Sequence, residues 1–210
     1  LTDQQVCKAE ARMGVPEGGG MTGVIGMLHC GMGPTVALRF DIDALPVREC
    51  EELDHFPAQE GFRSEHAGYM HACGHDGHIT VGLGTAKLLC QMREQLHGTV
   101  KFIFQPAEEG VRGARAIVEN GHLEDVDFLL GAHMYGGPEQ HPCGICITAG
   151  HGLATTKLDV DFHGKASHAA AAPEQGNNAL LAAATAVLNL QAIPRHGKAD
   201  TRINVGKLVA

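Results

Sequence analysis

The sequence contains no uninterrupted apolar segment close to the roughly 20 residues that cross a bilayer, so we expect no membrane anchor. It also lacks an excess of basic residues, since 16 Lys and Arg stand against 24 Asp and Glu and give a net charge of -8. Because phosphate binding requires a basic surface, this balance argues against a nucleic-acid partner and favours a small molecule. Residues 1–5 contain no basic region and no apolar stretch follows them, so a cytoplasmic location is expected.

The cysteines lack the even number and regular spacing of a disulfide framework. Seven of them lie at irregular positions in 210 residues, and we expect them to be reduced. Cys143 and Cys146 form a C-x-x-C pair, which is compatible with half of a zinc site or with a redox motif. There is no second pair and no thioredoxin-like context, so buried or idle thiols are the favoured interpretation.

Candidate metal ligands are concentrated between Tyr69 and His78, where three histidines, a cysteine and an aspartate occur within ten residues. Cys73 and His75 are separated by one glycine, and a turn there can direct a thiolate and an imidazole at one ion. Helical periodicity begins directly afterwards, so the dipole of the helix N-terminus is expected to favour the thiolate. A His-rich surface loop is the alternative, but Cys73, His75, Asp76 and His78 together favour metal binding.

The order of apolar segments predicts an α/β fold, with a mostly parallel sheet covered by helices on both faces. Apolar strands are predicted at 35–40, 100–104 and 126–132, and helices from 79 onward and at 112–120. Ligands of such sheets gather beyond the carboxyl ends of the strands. The polar residues found there are Asp41, Asp43, Glu108, Glu109 and His133. We therefore expect these side chains to meet at one edge of the sheet.

The pattern changes after Gly150 and predicts a second, smaller domain. Residues 157–162 alternate polar and apolar as a half-exposed strand does, a helix is predicted from Ala179 to about Gln191, and a further strand at 201–209. The predicted domains are 1–150, which binds metal, and 151–210. The helix is apolar on nearly every side, so more chain or a second subunit is expected to cover it.

The adjacent acids Glu108 and Glu109 are predicted to have different roles. In extended backbone neighbouring side chains leave on opposite sides, so one could hold metal while the other transfers protons from water. A solvated charge pair is the alternative interpretation. Asp41 and Asp43 either belong to the site or act as turn carboxylates, and Asp43 could orient a metal-binding imidazole.

Four strings together resemble a known enzyme family. They are DIDALP at 41–46, MHACGHDGH at 70–78, FQPAEEG at 104–110 and GAH at 131–133. They resemble the metal-dependent aminoacylase and carboxypeptidase-like amidohydrolases, in the branch of hippurate, auxin-conjugate and aminobenzoyl-glutamate hydrolases. Within that branch, RGARA at 112–116, ATTK at 154–157, NALLAAA at 178–184 and RINVG at 202–206 are most similar to the aminobenzoyl-glutamate hydrolases.

The resemblance implies a site with two divalent metal ions, manganese or zinc. The ligands that it implies are Cys73, His75, Glu109 and His133. Glu108 corresponds to the general base of the family, and Asp43 to the aspartate that supports a metal ligand. His168 corresponds to a histidine that reaches the substrate carbonyl in a partner subunit's site. From its own sequence context alone, His168 reads as an exposed loop histidine.

The activity that the resemblance implies is hydrolysis of the amide bond in N-acyl or N-aroyl amino acids, including aminobenzoyl-glutamate, by a homodimer. Members of the family are longer and supply a last metal histidine from a C-terminal part. We therefore expect the dimerisation domain to be truncated here and the ligand set to be incomplete. The alternatives are a non-catalytic metal-binding or dimerisation fragment, a general N-acetyl amino acid or peptide hydrolase, and a redox protein built on Cys143 and Cys146.

Overall fold

The computed structural model describes residues 22–52, 54–135, 144–145, 147 and 154–209. The chain divides into two compact units, with the boundary between Gly144 and Ile145. The first unit contains β1 (Val24–His29), β2 (Thr35–Asp41), α1 (Phe56–Gln59), α2 (His75–Gln91), β3 (Thr99–Gln105), α3 (Gly113–Glu119) and β4 (Phe128–Gly131). The second contains α4 (Ala179–Gln191). None of the helices in the described ranges has the length and hydropathy needed to cross a membrane.

The first unit is built on a four-stranded sheet in the order β1-β3-β2-β4. Strand β2 is parallel to both β3 and β4, as predicted, and its last residue, Asp41, pairs with Gln105 of β3. Strand β1 runs antiparallel to β3, so the sheet is mixed, and the sequence did not indicate this strand. Gly26 lies in the middle of β1, where a missing side chain weakens the strand pattern.

Helices cover both faces of the sheet, as the sequence predicted. Phe102 and Ile103 are neighbours in β3 and therefore point to opposite faces. One face forms a cluster with α2, whose members include Leu28, Phe40, Phe102, Ala86 and Leu89. The other face packs against α3 through Ala37, Ile103 and Ile117. The sheet is thus held between two helices, and its carboxyl edge is left for polar side chains.

Helix α2 lies so close to the sheet that only glycine fits at position 82. A Cβ atom on Gly82 would lie 2.7 Å from Cε1 of Phe104 and 2.9 Å from Cγ of Phe40. These rings stack on each other with centroids 5.5 Å apart, so they cannot both move aside easily. This close contact fixes the height of α2, and hence of its N-terminal histidines, above the sheet.

We expect Gly82→Ala to destabilise the protein by about 1–3 kcal/mol, because the added methyl overpacks the two rings. The expected gain in helix propensity, about 1 kcal/mol, offsets part of this cost, but contacts of 2.7 and 2.9 Å place the cost at the upper end of its range. Gly84→Ala is the matched control on the same helix, since its Cβ would meet nothing within 4 Å, and it is expected to stabilise. Urea unfolding of both variants measures the difference, and equal shifts in the two midpoints would contradict the close packing.

The second unit confirms the predicted helix but not the predicted strands. Helix α4 spans Ala179–Gln191, and Asn178 caps it by accepting a hydrogen bond from the N–H of Leu181 at 3.1 Å. The strands predicted at 157–162 and 201–209 are wrong, because neither range forms a strand. The β pairing among the described residues of this unit is one bridge between Lys165 and Asn177. An alternating pattern forms a strand only when a neighbouring strand accepts its hydrogen bonds.

Candidate metal centre

Four segments of the first unit bring polar side chains to the carboxyl edge of the sheet. They are the end of β2 with the residues after it, the N-terminus of α2, the turn after β3, and the residues after β4. Helix α2 begins at His75, four residues earlier than its periodicity indicated, so His75 and His78 both lie in its first turn. Gly74 precedes it with φ of 86°, the left-handed conformation that lets the chain turn sharply between Cys73 and His75.

His75 lies at the centre of this group and is 1% exposed. Its Nδ1 lies 2.9 Å from the carbonyl oxygen of Asp43, which can only accept, so Nδ1 carries the proton and Nε2 carries a lone pair. Nε2 has no hydrogen-bond partner. The oxygens around it are Asp41 Oδ2 at 3.8 Å, Glu109 Oε1 at 3.9 Å and Glu108 Oε2 at 4.0 Å. A buried lone pair that faces carboxylates is unfavourable unless a cation lies between them.

His133 has the same tautomer as His75. Its Nδ1 donates to the carbonyl oxygen of Met134 at 2.6 Å, so the lone pair is on Nε2, 3.7 Å from Sγ of Cys73. The donor atoms of Cys73, His75 and Glu109 also lie within 4.8 Å of one another. Ligand atoms of a tetrahedral ion with bonds of about 2.0–2.3 Å are about 3.3–3.8 Å apart, so the spacing fits a divalent cation after small adjustments.

Burial raises the pKa of the Cys73 thiol, and the hydrogen bond with Glu109 and the negative charges of Glu109, Glu108 and Asp41 raise it further. The prediction that the Cys73 thiol ionises more readily at the helix N-terminus is therefore wrong for the site without an ion. Burial and the three carboxylates oppose the effect expected of the helix N-terminus. The positive charge of a cation would reverse this balance, because it favours the thiolate.

Glu108 and Glu109 lie in a turn and not in extended backbone. Ala107 and Val111, which flank the pair, have φ of 52° and 55°, and the N–H of Val111 donates to the carbonyl oxygen of Glu108 at 2.8 Å. Both carboxylates consequently approach the same nitrogen of His75, so the prediction that they leave on opposite sides is wrong. A β-branched residue in the left-handed region is rare and strained, and such strain is typical of functional loops.

Asp43 contacts two of the candidate ligands. Its carbonyl oxygen accepts from His75, its Oδ1 lies 3.3 Å from His75 Nδ1, and its Oδ2 accepts from the N–H of Glu109 at 3.0 Å. It therefore links the segment after β2 to the first turn of α2 and to the acidic turn after β3.

Asp41, whose role the sequence left undecided, and His78, which the sequence placed among the metal-binding candidates, are buried against each other. Asp41 is 0% exposed and hydrogen bonds to Nδ1 of His78, while Nε2 of His78 accepts the N–H of Met134 at 2.8 Å. Burial disfavours the Asp41 carboxylate, but the hydrogen bond from His78 and the charge of Arg39 outweigh it and hold the pKa of Asp41 below its ordinary value. Asp41, His75, His78 and His133 also form a compact group of donor atoms. However, both nitrogens of His78 already have partners.

The remaining predicted residues are not among the candidate donor groups found in the described part of the chain. Asp76 is exposed in the first turn of α2, where its charge is favourable to the helix N-terminus. His168 belongs to the second unit and is exposed, and its Nδ1 accepts the N–H groups of Ala170 at 3.2 Å and Ala171 at 3.0 Å. Cys143 and Cys146 lie outside the described residues.

Sequence reasoning missed the residues that support the buried Asp41. Arg39 Nη1 lies 2.8 Å from Asp41 Oδ2, and Arg39 Nε donates to Gln105 Oε1 at 2.8 Å. The available signal was a polar residue near the end of each of two otherwise apolar strands. Such residues are buried only when they have partners.

Comparison with known proteins agrees with this arrangement. Residues 37–203 match the family described as Peptidase family M20/M25/M40. One of the subunits of p-aminobenzoyl-glutamate hydrolase from Escherichia coli (strain K12) is 49% identical over 194 residues, which cover 91% of this chain and 44% of that protein. The indole-3-acetyl-aspartic acid hydrolase of Enterobacter agglomerans is 48% identical over 194 residues, with coverage of 91% and 44%.

A solved structure shares the fold. The aminobenzoyl-glutamate utilization protein from Klebsiella pneumoniae superposes with a TM-score of 0.53 and 35% sequence identity, over 90% of this chain and 41% of that one. The chain thus spans less than half the length of the relatives that it matches. Because the family match covers more than half of the chain and includes the acidic turn and the histidines of the centre, the chain belongs to peptidase family M20/M25/M40.

Proposed function

We propose that the intact protein is a metal-dependent amidohydrolase that cleaves the amide bond of N-acyl or N-aroyl amino acids. The observation that carries the proposal is the buried Nε2 lone pair of His75, which faces carboxylates and has no hydrogen-bond partner. Relatives named for aminobenzoyl-glutamate and indole-3-acetyl-aspartate suggest an aromatic acyl group joined to an acidic amino acid. These two compounds are therefore the first substrates to test.

The proposed cofactor is a pair of divalent ions, zinc or manganese. The residues that would hold them are Cys73, His75, Glu109 and His133. Thiolate and imidazole donors suit zinc, and carboxylates also suit manganese. When bound, such ions supply a Lewis acid for the substrate carbonyl and lower the pKa of bound water to about 7.

Glu108 is the proposed general base. Its side chain is 38% exposed and so open to water, yet its Oε2 lies 4.0 Å from Nε2 of His75. A carboxylate in this position can take a proton from a water molecule and return it to the leaving nitrogen of the amide. Asp43 is proposed to hold His75 and the Glu109 segment in place through the contacts described above.

The second unit is proposed to contribute substrate binding and dimerisation, with 1–150 as the catalytic domain and 151–210 as part of the dimerisation domain. Because Nδ1 of His168 accepts two N–H groups, its proton is on Nε2, which suits donation to a carbonyl oxygen. Exposed apolar side chains of α4, such as Leu181 and Leu188, are consistent with a homodimer. We also propose that the protein acts in the cytoplasm.

Metal removal tests the proposal. We expect dialysis of the intact protein against dipicolinate to abolish release of p-aminobenzoate or indoleacetate, and addition of zinc or manganese to restore it. Isophthalate, which has the same charge but does not chelate, is the control and should leave activity unchanged. Hydrolysis by a protein shown to be free of metal would contradict the proposal. Metal binding without hydrolysis of any N-acyl amino acid would favour the non-catalytic alternative.

A further inference from the structure

His78 has the same tautomer as the two candidate ligand histidines, but its Nε2 lone pair already has a partner. Its Nε2 receives the backbone N–H of Met134 at 2.8 Å, and a backbone N–H can only donate. Nε2 is therefore unprotonated, and the proton is on Nδ1, where Asp41 accepts it. His78 is 3% exposed and neither ring nitrogen is left for an ion.

Met134 connects His78 to His133 through its main chain. The N–H of Met134 is held by His78, and its carbonyl oxygen accepts the Nδ1 proton of His133 at 2.6 Å. The rings of His78 and His133 also meet edge to face, with centroids 4.5 Å apart. A shift of the Met134 backbone would therefore rotate the His133 imidazole and move Nε2 away from Cys73.

On the side of His78 away from Met134, the series of contacts continues through Asp41 into the sheet. Asp41 is held by Arg39, and Arg39 donates to Gln105, which is 3% exposed. Asp41 and Gln105 are paired in the register of β2 and β3, and Arg39 is paired with Gly131 of β4. The contacts thus start on the rigid centre of the sheet, where their positions are well defined.

We propose that His78 is a positioning residue, which works with Asp41 and acts through the Met134 main chain to aim Nε2 of His133 at the metal site. This rests on the metal-binding part of the proposed function. His78 orients the segment after β4 and does not bind the ion itself. Groups that orient ligands in this way typically change metal affinity or activity by about 10–100-fold when they are removed.

Two amide substitutions separate the two nitrogens of His78. The amide of His78→Asn reaches the position of Nδ1, so it keeps a donor for Asp41 but loses the acceptor for Met134. The amide of His78→Gln reaches the position of Nε2 and keeps that acceptor. Zinc binding to the intact protein is measured by competition with a chromophoric chelator, and cobalt spectra report the ligand geometry. His29→Gln, at a surface histidine of β1 that contacts Thr99, is the control.

We expect an unchanged number of bound ions in both variants, a Kd raised about 10–100-fold in His78→Asn with a changed cobalt spectrum, and a smaller rise in His78→Gln. Loss of one bound ion would show that His78 is a ligand and would overturn the proposal. An unchanged Kd in His78→Asn, or a larger rise in His78→Gln, would overturn it as well.

A measurement on the wild-type protein does not depend on whether the variants fold. With cadmium in the site and isotope-labelled histidine, we expect scalar coupling from cadmium to Nε2 of His75 and His133, and none to His78. Coupling to His78 would overturn the proposal. None of these measurements uses a substrate, so a protein that binds metal but hydrolyses no amide would overturn the proposed activity alone, whereas a wild-type protein that binds no cation would overturn both.

Discussion

Glu108→Gln in the intact protein is expected to lower kcat by about 10²–10⁴-fold, the range for loss of a general base. Glutamine has nearly the same shape but cannot accept a proton from water. Glu108 belongs to neither compact group of candidate ligand atoms, so the number of bound ions should stay at the wild-type value. Steady-state hydrolysis of aminobenzoyl-glutamate and elemental analysis of the same sample measure the two effects.

Glu109→Gln is the matched control for Glu108→Gln, because the two residues are adjacent and the change is identical. Glu109 lies among the candidate ligands with Cys73 and His75, so its substitution should lower metal content together with activity. If the Glu108 variant retained kcat within a few-fold of wild type, the general base would have to be another group. If it lost metal as Glu109→Gln does, Glu108 would be a ligand.

Cys73→Ala is expected to reduce metal affinity strongly. Loss of a group that only orients a ligand typically costs about 10–100-fold in affinity, and loss of the ligand itself should cost more. The alanine removes the only sulfur among the described candidate ligands, 3.7 Å from Nε2 of His133. Activity should fall with occupancy and should recover partly at high metal concentration. Elemental analysis after gel filtration, followed by activity against added zinc, measures this.

Cys50→Ala is the control for Cys73→Ala, since Cys50 is an exposed free cysteine in a different loop. It should keep wild-type metal content and activity. A wild-type metal-to-protein ratio in Cys73→Ala after gel filtration would remove Cys73 from the ligand set. Equal losses in both cysteine variants would show that the effect of Cys73→Ala is not specific to the candidate site.

The sequence was sufficient to predict that the candidate ligands meet at one edge of the sheet, because this follows from the strand topology. Asp41 and Gln105 end two buried apolar strands, and the ends of parallel strands share an edge. The predicted ligands that follow β3 and β4, Glu109 and His133, reach that edge together with Cys73. The alternation of strands and helices along the sequence was enough to predict the parallel pairing and the helices on both faces of the sheet.

Features that depend on contacts between distant residues could not be predicted. The acidic turn is held by a hydrogen bond from the N–H of Glu109 to Asp43, 66 residues away in sequence, and Val111 adopts a conformation that its side chain disfavours. The strand propensity of 157–162 depends on a partner strand, which the described part of the second unit does not provide. His75 and His78 have the same tautomer but different roles, because Nε2 of His75 has no hydrogen-bond partner whereas Nε2 of His78 accepts the N–H of Met134, 56 residues away in sequence.

The strand order β1-β3-β2-β4 has a consequence for biosynthesis. The first two described strands are not hydrogen bonded to each other, and each has β3 as a neighbour. Strands β1 and β2 cannot complete their hydrogen bonds with β3 until Gln105 has emerged from the ribosome. Both strands therefore lack these hydrogen bonds while α2 is translated. During that interval the nascent polypeptide exposes two apolar strands, β1 and β2, to chaperones. Mutations that slow docking of β3 should therefore increase aggregation during expression more than they lower equilibrium stability.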